Sequence, residues 1–375
     1  MRKRLVPISE SAANSSRIYH LLYDRKSISR SDIAYELRLS LPTVNQHLSA
    51  LLDSGIIQKG ELRESTGGRK AQTYEFVSTY RYALGLDIWQ ESAEIVLLDL
   101  DGSISHKSTF PVPFENSAGF QKALAEAITK FVQETGVPFD HILGMGVAVQ
   151  GIVVAGGERV LYGDAMNTAG LSSGDFEANL PWPCTLIHNV DAAAMAESWY
   201  RDSLNNAFYL FLSEHFGAAL IIDGVPYQGD NSIGSTIEHM CLIPNGQPCY
   251  CGKRGCVETY CSERSLLTHA QESAERFFSK LRLGEKKEET IWSDYLRNLA
   301  LVIDNIRMVL PCPVILGGTL ADYIEQPDIA RLEDTIAELS SFKSQTHILS
   351  KAICGKTSAA QGAALHFIIR YLNAM

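Results

Sequence analysis

His239-Met-Cys-Leu-Ile-Pro-Asn-Gly-Gln-Pro-Cys249-Tyr-Cys251-Gly-Lys-Arg-Gly-Cys256-Val-Glu258 puts one histidine and three cysteines of a tight set within eighteen residues. Three thiolates and an imidazole form one of the standard tetrahedral shells for zinc. Gly246, Gly252 and Gly255 let the backbone turn back, so that neighbouring thiolates converge on one ion. His239, Cys249, Cys251 and Cys256 are the expected ligands. Cys241 and Cys261 flank them and could compete as ligands, but they break the compact spacing. Such a shell leaves no open coordination position, so the role expected of about one zinc per chain is structural.

The rest of the 375 residues are ordinary in composition, with 46% hydrophobic and 20% charged residues, enough for two or three domains. No apolar run approaches the ~18 residues of a membrane span. The basic first residues lead into no apolar signal core, so a cytoplasmic location and reduced cysteines are expected. Cys184, Cys241, Cys312 and Cys354 read as core residues. Charge is unevenly spread. Residues 1–76 hold twelve Lys/Arg against eight Asp/Glu, whereas the whole chain carries −10, which leaves −14 for the remainder. A basic head on an acidic body points the head alone toward a polyanion.

Within that head, Ile18, Leu21 and Leu22 recur at helical spacing. Ser29 to Asp32 starts a second helix with Ile33, Ala34 and Leu37 inside. Ser40 caps a third, with Pro42 in its first turn and Leu41, Val44, Leu48, Leu51 and Leu52 as the expected buried stripe. Gly55 lies just past its end. Two helices joined by a tight turn read as helix-turn-helix. Ser40, Pro42, Thr43, Asn45 and Gln46 then lie where side chains reach DNA, and Asn or Gln can pair bidentately with adenine. The strand-like runs Ile56 to Lys59 and Thr73 to Val77 flank Ser65-Thr-Gly-Gly-Arg69-Lys70, which completes a winged helix. Arg69 is expected in a minor groove and Lys70 on a phosphate.

From Tyr82 the pattern becomes α/β. Strand-like runs at Ala83 to Ile88, Ile95 to Asp99, Ile142 to Val149 and Thr185 to His188 alternate with helical spacing at Phe120 to Val132 and Asp191 to Glu197. A second series begins at Ala207 to Leu212 and Ala218 to Ile222, read as a hairpin closed by Asp223-Gly224. The repetition predicts a duplicated α/β unit with a cleft between its halves. The expected division is a winged head over 1–80, a first lobe over 81–203, and a second lobe over 204–375 that carries the metal loop and a closing helix.

Taken together, these pieces resemble the ROK family of sugar kinases and repressors, its repressor branch in particular. The resemblance rests on the winged head with its Gly-Gly-Arg tip, on Gly229-Asp-Asn231 leading to His239, and on the Cys-x-Cys-Gly-x-x-Gly-Cys-x-Glu run. It implies an actin-like, ribonuclease-H-like two-lobed body, with zinc held by His239, Cys249, Cys251 and Cys256. It further implies either ATP-dependent phosphorylation of a sugar, or repression through double-stranded operator DNA, bound as a homodimer or homotetramer that answers to a sugar or a protein partner.

The kinase branch can be checked against the chemistry of phosphoryl transfer, which needs a phosphate cradle and a base. Where the family's first phosphate hairpin reads Asp-x-Gly-Gly-Thr, this chain has Asp87-Ile-Trp-Gln-Glu91. Where its second loop is glycine-rich, Ser213-Glu-His-Phe-Gly217 brings in an acid. Asn189 falls at the base position, where an amide cannot accept a proton, although a one-residue slip would restore Asp191. Turnover is therefore not expected. The resemblance implies sugar contacts from His239 and Glu258, with Asn167, Asn189 and Asp191 as further candidates. The other reading of Glu258 is a helix cap beside the metal. Thr236 stands where the family has a glutamate, and Glu238 where it has a glycine. The expected function is a carbohydrate-responsive transcriptional regulator with a sugar-type effector in the cleft; the alternative is a sugar kinase with an added DNA-binding domain.

Overall fold

Serine caps set the two helices that follow the first in the head, as the capping chemistry requires. The computed structural model describes residues 13–63, 71–229, 232–341 and 348–375, so Arg69 and Lys70 lie outside the described residues. Helix α1 (Asn14–Arg25) leads through β1 (Ser27–Ser29) into α2 (Arg30–Leu37) and α3 (Leu41–Asp53). The Ser29 side chain accepts the Asp32 N–H at 3.2 Å, and Ser40 accepts that of Thr43 at 3.3 Å. Arg38, at φ 54°, makes the tight turn between α2 and α3. Strands β2 (Ile57–Arg63) and β3 (Ala71–Phe76) pair antiparallel, and β1 adds to the other edge of β3. Ile33, Val44, Leu48 and Leu51 are buried. Leu41 is not: it is 47% exposed. It is the first residue of α3, and a helical side chain leans over the turn before it, which here does not exist.

The first lobe follows directly: β4 (Tyr82–Ile88), β5 (Ala93–Asp99), β6 (Ile104–Phe110), α4 (Ala118–Thr135), β7 (Ile142–Val149), β8 (Ile152–Val153), β9 (Val160–Tyr162), α5 (Ser173–Glu177), β10 (Cys184–His188) and α6 (Asn189–Tyr200). Its five-stranded sheet has the order β10-β7-β4-β5-β6, with β7 parallel to β4 and to β10, and β4, β5 and β6 antiparallel. The second lobe comprises β11 (Ala207–Leu212), β12 (Phe216–Ile222), β13 (Val225–Pro226), α7 (Glu258–Cys261), α8 (Glu263–Ala270), α9 (Ala274–Arg282), α10 (Lys286–Val309), β14 (Val314–Gly317), α11 (Gln326–Leu339) and β15 (Leu349–Lys351). Its sheet order is β13-β12-β11-β14-β15, with the same parallel and antiparallel pairings at corresponding places. The duplication read from the sequence is thus a repeat of sheet topology. One detail differs. The β11–β12 turn is formed by residues 213–215, and Asp223-Gly224 instead joins β12 to β13. Among the described residues no helix is long and apolar enough to cross a membrane.

Helix α12 (Ser358–Ala374) runs back from the end of the chain onto the first lobe. Its Ala360, Ala364 and Leu365 share a core with Ala83, Val96 and Leu98 of the first sheet. Ala359 and Ala363 join Ala192, Ala193 and Ala194 of α6 and Tyr209, Phe211 and Ile315 of the second sheet. The division at residue 204 therefore follows the chain but not the packing. A two-helix layer, α6 and α12, lies between the sheets. Its closeness demands glycine: a Cβ on Gly85 would sit 1.8 Å from the Ala360 carbonyl oxygen, one on Gly146 2.0 Å from that of Ala363, and one on Gly362 1.6 Å from that of Ala192.

The head is fastened to the first lobe at the β5–β6 turn. Tyr23 of α1 donates to the Leu100 carbonyl at 3.1 Å, Lys26 pairs with Asp101, and the Leu100 N–H donates to the Ser78 carbonyl at 3.0 Å. The same turn receives the far end of α6, where Trp199 Nε1 donates to the Asp101 carbonyl at 3.3 Å and the Tyr200 hydroxyl to that of Gly102. Twelve helical residues span about 18 Å, so α6 carries the distance from its first residues to the foot of the head.

Candidate effector cleft, metal centre and nucleic-acid face

On the outer side of α3, Pro42, Asn45, Gln46 and Ser49 are exposed, and Thr43 is half-buried. The Ser40 and Thr43 hydroxyls lie 2.8 Å apart. Arg30, at the start of α2, donates from Nη1 to Asn45 Oδ1 at 2.9 Å. This adds a guanidinium to the face that the sequence reading had left without a described cation. Its signal was weak, because a lone arginine at a helix start has no periodicity to mark it.

The four expected metal ligands converge. One ligand atom from each of His239, Cys249, Cys251 and Cys256 lies within 4.8 Å of all the others. Cys251 and Cys256 Sγ are 3.7 Å apart, and Cys249 Sγ is 3.8 Å from His239 Nδ1. A tetrahedron with metal–sulfur bonds of ~2.3 Å has edges near ~3.8 Å, so the donor set fits a zinc-sized ion. Gly252 and Gly255 supply the turns, at φ 83° and 78°. Gly246 serves differently, since a Cβ there would meet the Tyr260 hydroxyl at 2.2 Å. The Leu242 and Ile243 N–H groups both donate to the Gly255 carbonyl and close the loop. Cys241, by contrast with the core position expected for it, is exposed, and Cys354 is half-buried.

Beside this cluster opens a cleft of about 410 Å³ between the lobes. His239 and Asn189 line it. Asn189 Oδ1 accepts the Val190 N–H at 3.0 Å. Asp191 lines an adjoining cavity of about 610 Å³, which shares His188 with the cleft. Its carboxylate is 3.8 Å from His188 Nδ1. Burial works against charge on His188, but the hydrogen bond and charge of Asp191 outweigh it and raise its pKa. Asn167 is exposed, in a left-handed conformation at φ 55°, and its carbonyl faces Asn116 at 3.4 Å. It does not line the cleft.

Glu258 is buried under the cleft wall. One oxygen bonds His215 Nδ1 at 2.8 Å, and the other accepts the Phe216 N–H at 2.7 Å. It thereby fixes the His215 ring, which does face the cleft. A carboxylate partner favours hydrogen on Nδ1 and leaves Nε2 as an acceptor. Tyr250, between two ligand cysteines, packs edge-on against both His215 and His239. The sequence reading treated His215 only as part of a broken phosphate loop; its partner lies 43 residues away and no local pattern links them. Glu238 also lines the cleft; burial pushes its carboxyl up to about 7, with His188 pulling the other way.

The two loops that the family resemblance implies would face phosphates make contacts of their own. Trp89 Nε1 donates to Asp87 Oδ2 at 2.7 Å, so the indole sits where a glycine would leave room for phosphate. Glu214 pairs with Arg264. The neighbouring cavity, of about 630 Å³, is lined by Trp89 and by the carboxylates Glu214, Glu263 and Glu275, against only Arg264 and Lys356.

A duplicated sheet, a two-helix layer and a metal loop at the cleft define the class, and comparison with known proteins agrees. The ROK family model matches residues 83–369, and a winged helix-turn-helix DNA-binding model matches residues 13–58. The chain belongs to the ROK family. It is 25% identical over 257 residues to the DNA-binding transcriptional dual regulator NagC of Escherichia coli (strain K12), covering 68% of this chain and 63% of that protein. It is 24% identical to the xylose repressor of Bacillus spizizenii (strain ATCC 23059 / NRRL B-14472 / W23), covering 65% of this chain and 64% of that one. The matched segments thus span less than two thirds of these relatives' length. In fold it is similar to a ROK family transcriptional regulator described as a homolog of the Escherichia coli MLC protein, with a TM-score of 0.78, 19% identity and 96% of each chain covered. A ROK family glucokinase from Streptomyces griseus, in complex with glucose and AMPPNP, overlaps 76% of this chain and 98% of its own, with a TM-score of 0.67 and 18% identity.

Burial pushes the Asp87 carboxyl up to about 7; the Trp89 bond opposes this and nearby Glu94 adds to it. Between about pH 4 and 7 the folded chain keeps a proton that the unfolded chain has released, so Asp87 lowers stability as pH rises through that window. Asp87→Asn keeps an acceptor for Trp89. Its Tm is expected to exceed the parent's by a few degrees at pH 8 and to match it near pH 4, as scanning calorimetry at both pH values would register.

Proposed function

We propose that this protein is a cytoplasmic, zinc-stabilised, dimeric transcriptional regulator of carbohydrate-utilisation genes, of the repressor type, with a sugar-type effector in the interlobe cleft. The observation that carries this reading is the shared footing of head and cleft. The N-terminal residues of α6, Asn189 and Val190, line the cleft, and Trp199 and Tyr200 grip the turn to which Tyr23 and Lys26 of the head are fastened. A ligand that favours one closure of the lobes can bias the pose of the head through that helix, provided its affinity differs between the two states. Relatives named as a DNA-binding transcriptional dual regulator and a xylose repressor, and the winged-helix match, support the DNA-binding half of the reading. Two-fold symmetry in the protein would be matched by a roughly palindromic operator.

The overlap with a glucokinase favours a second reading, sugar kinase activity. Against it stand Trp89 on Asp87, the carboxylates of the neighbouring cavity, and Asn189 at the position read as the base. Sustained ADP release with a sugar, abolished by Asp191→Ala, would establish that reading instead.

Gel-shift titrations against the gene's own upstream DNA test the main reading. The parent is expected to prefer one site over random duplex at moderate salt. Asn45→Ala and Gln46→Ala should each weaken that site by about tenfold or more and leave random duplex nearly unchanged. Equal binding to all sequences would overturn it. Metal analysis of the purified chain is expected to find about one zinc per chain, and Cys251→Ser to lose the metal together with several degrees of Tm. Trp199→Phe keeps the ring but not the indole donor. Operator affinity without effector should hold, while the effector's influence on that affinity shrinks severalfold.

A further inference from the structure

Acidic side chains dominate the charge around the cleft. Asp87, Asp164, Glu214 and Glu238 line it, and among the described residues no lysine or arginine does. Each imidazole at its wall is already matched. His188 faces Asp191, His215 is held by Glu258, and His239 belongs to the cysteine cluster. Arg264, the guanidinium at the rim, is bonded to Glu214. A doubly charged ion with three thiolates carries a net negative charge, so the metal centre adds nothing positive. The N-terminus of α6 offers the positive end of a helix dipole, and Asp191 in its first turn already meets it.

A sugar phosphate would bring up to two negative charges into a lining that has no lysine or arginine among its described residues; the nearby Lys253 ammonium donates to the His239 carbonyl at 2.8 Å. Phosphate sites in proteins are built from arginine forks, lysines or unmatched helix N-termini. The lining is instead suited to hydroxyl groups, which hydrogen-bond to carboxylates, to Thr236 and to imidazole nitrogens. We infer that the effector is a sugar bearing no anionic group, and that Glu238 is the residue that rejects phosphorylated sugars. This rests on the reading of the cleft as a sugar-effector site. Among the four lining carboxylates Glu238 is singled out by position. Asp87 is bonded to Trp89, Glu214 is paired, and Asp164 is exposed to solvent. Glu238 lies next to His239, with His188, Asp191 and Glu258 as its charged neighbours.

Thermal-shift and calorimetric titrations of the full-length, zinc-loaded protein test this at about pH 8.5, above the raised Glu238 and Asp87 carboxyls so that both carry charge, with D-xylose, D-glucose, D-glucosamine and N-acetyl-D-glucosamine against the 6-phosphates of the three hexoses. At least one unphosphorylated sugar is expected to raise Tm by several degrees at saturating concentration, and its phosphate by less than about one degree. Glu238→Gln should reduce that discrimination by about tenfold or more. Asp164→Asn, on the exposed side of the cleft, gives a smaller relaxation and serves if the first variant does not fold. A phosphate that binds the parent more tightly than its parent sugar overturns the charge assignment and leaves the sugar-sensing reading standing. Unchanged discrimination in Glu238→Gln overturns the role given to that residue. No shift with any sugar, charged or uncharged, overturns both readings together.

Discussion

Three glycines and a run of alanines set how closely α12 approaches its neighbours. With Gly85 and Gly146 in the first sheet and Gly362 in the helix itself, backbone meets backbone where any Cβ would collide with a carbonyl. Close packing of this kind resists small displacements, because a shift of the helix toward its neighbours drives backbone atoms into one another. The consequence reaches past stability. α12 wedges α6 between the two sheets, and α6 carries cleft-lining residues at one end and the foot of the head at the other. A movement between the lobes therefore has a stiff element through which to act on the DNA-binding surface.

The metal loop makes a second fixed point, on the other wall of the cleft. Four donors converge with the edges of a tetrahedron, and the loop that carries them also holds Tyr250 against His215 and His239. Glu258 extends the same construction inward by locking His215 and the Phe216 N–H. One wall is thus organised around an ion-sized cluster and the other around a helix terminus. Between them the lining is hydroxyl-friendly and acidic. The loops at Trp89 and Glu214 bond within the chain, Trp89 to Asp87 and Glu214 to Arg264, beside an acidic cavity. Fold similarity to a glucokinase and these loop contacts are compatible, since a fold supplies positions and the side chains at them supply the chemistry.

Much of this was legible in the sequence because the signals were local. Cap residues sit next to the helices they start: Ser40 caps as read, and Ser29 caps the helix read to start at it. The four ligands fall within eighteen residues, so glycine turns alone can gather them. Strand runs buried on both faces are largely apolar, and β7, together with β4 apart from Asp87, stands out for that reason. The repeat of the two sheets followed from the recurrence of those runs. Leu41 and Cys241 were misplaced because burial near an element's end depends on what covers it, and periodicity carries no information about the cover.

Tertiary structure alone decided the long-range pairings. That Glu258 serves His215 rather than opening on the cleft, that Asn167 turns away from it, and that Asp191 faces the adjoining cavity all depend on backbone directions set by distant packing. So does the return of α12 to the first lobe, which joins residues nearly three hundred positions apart in one core. The sequence by itself determined the chemistry available: a tetrahedral donor set, a polar recognition helix, and bulky or acidic residues in the loops at Trp89 and Glu214, where the family resemblance implies glycine. Which of those groups meet, and which helix links the cleft to the head, came from close approach in three dimensions, where steric fit between segments far apart in the chain selects the partners.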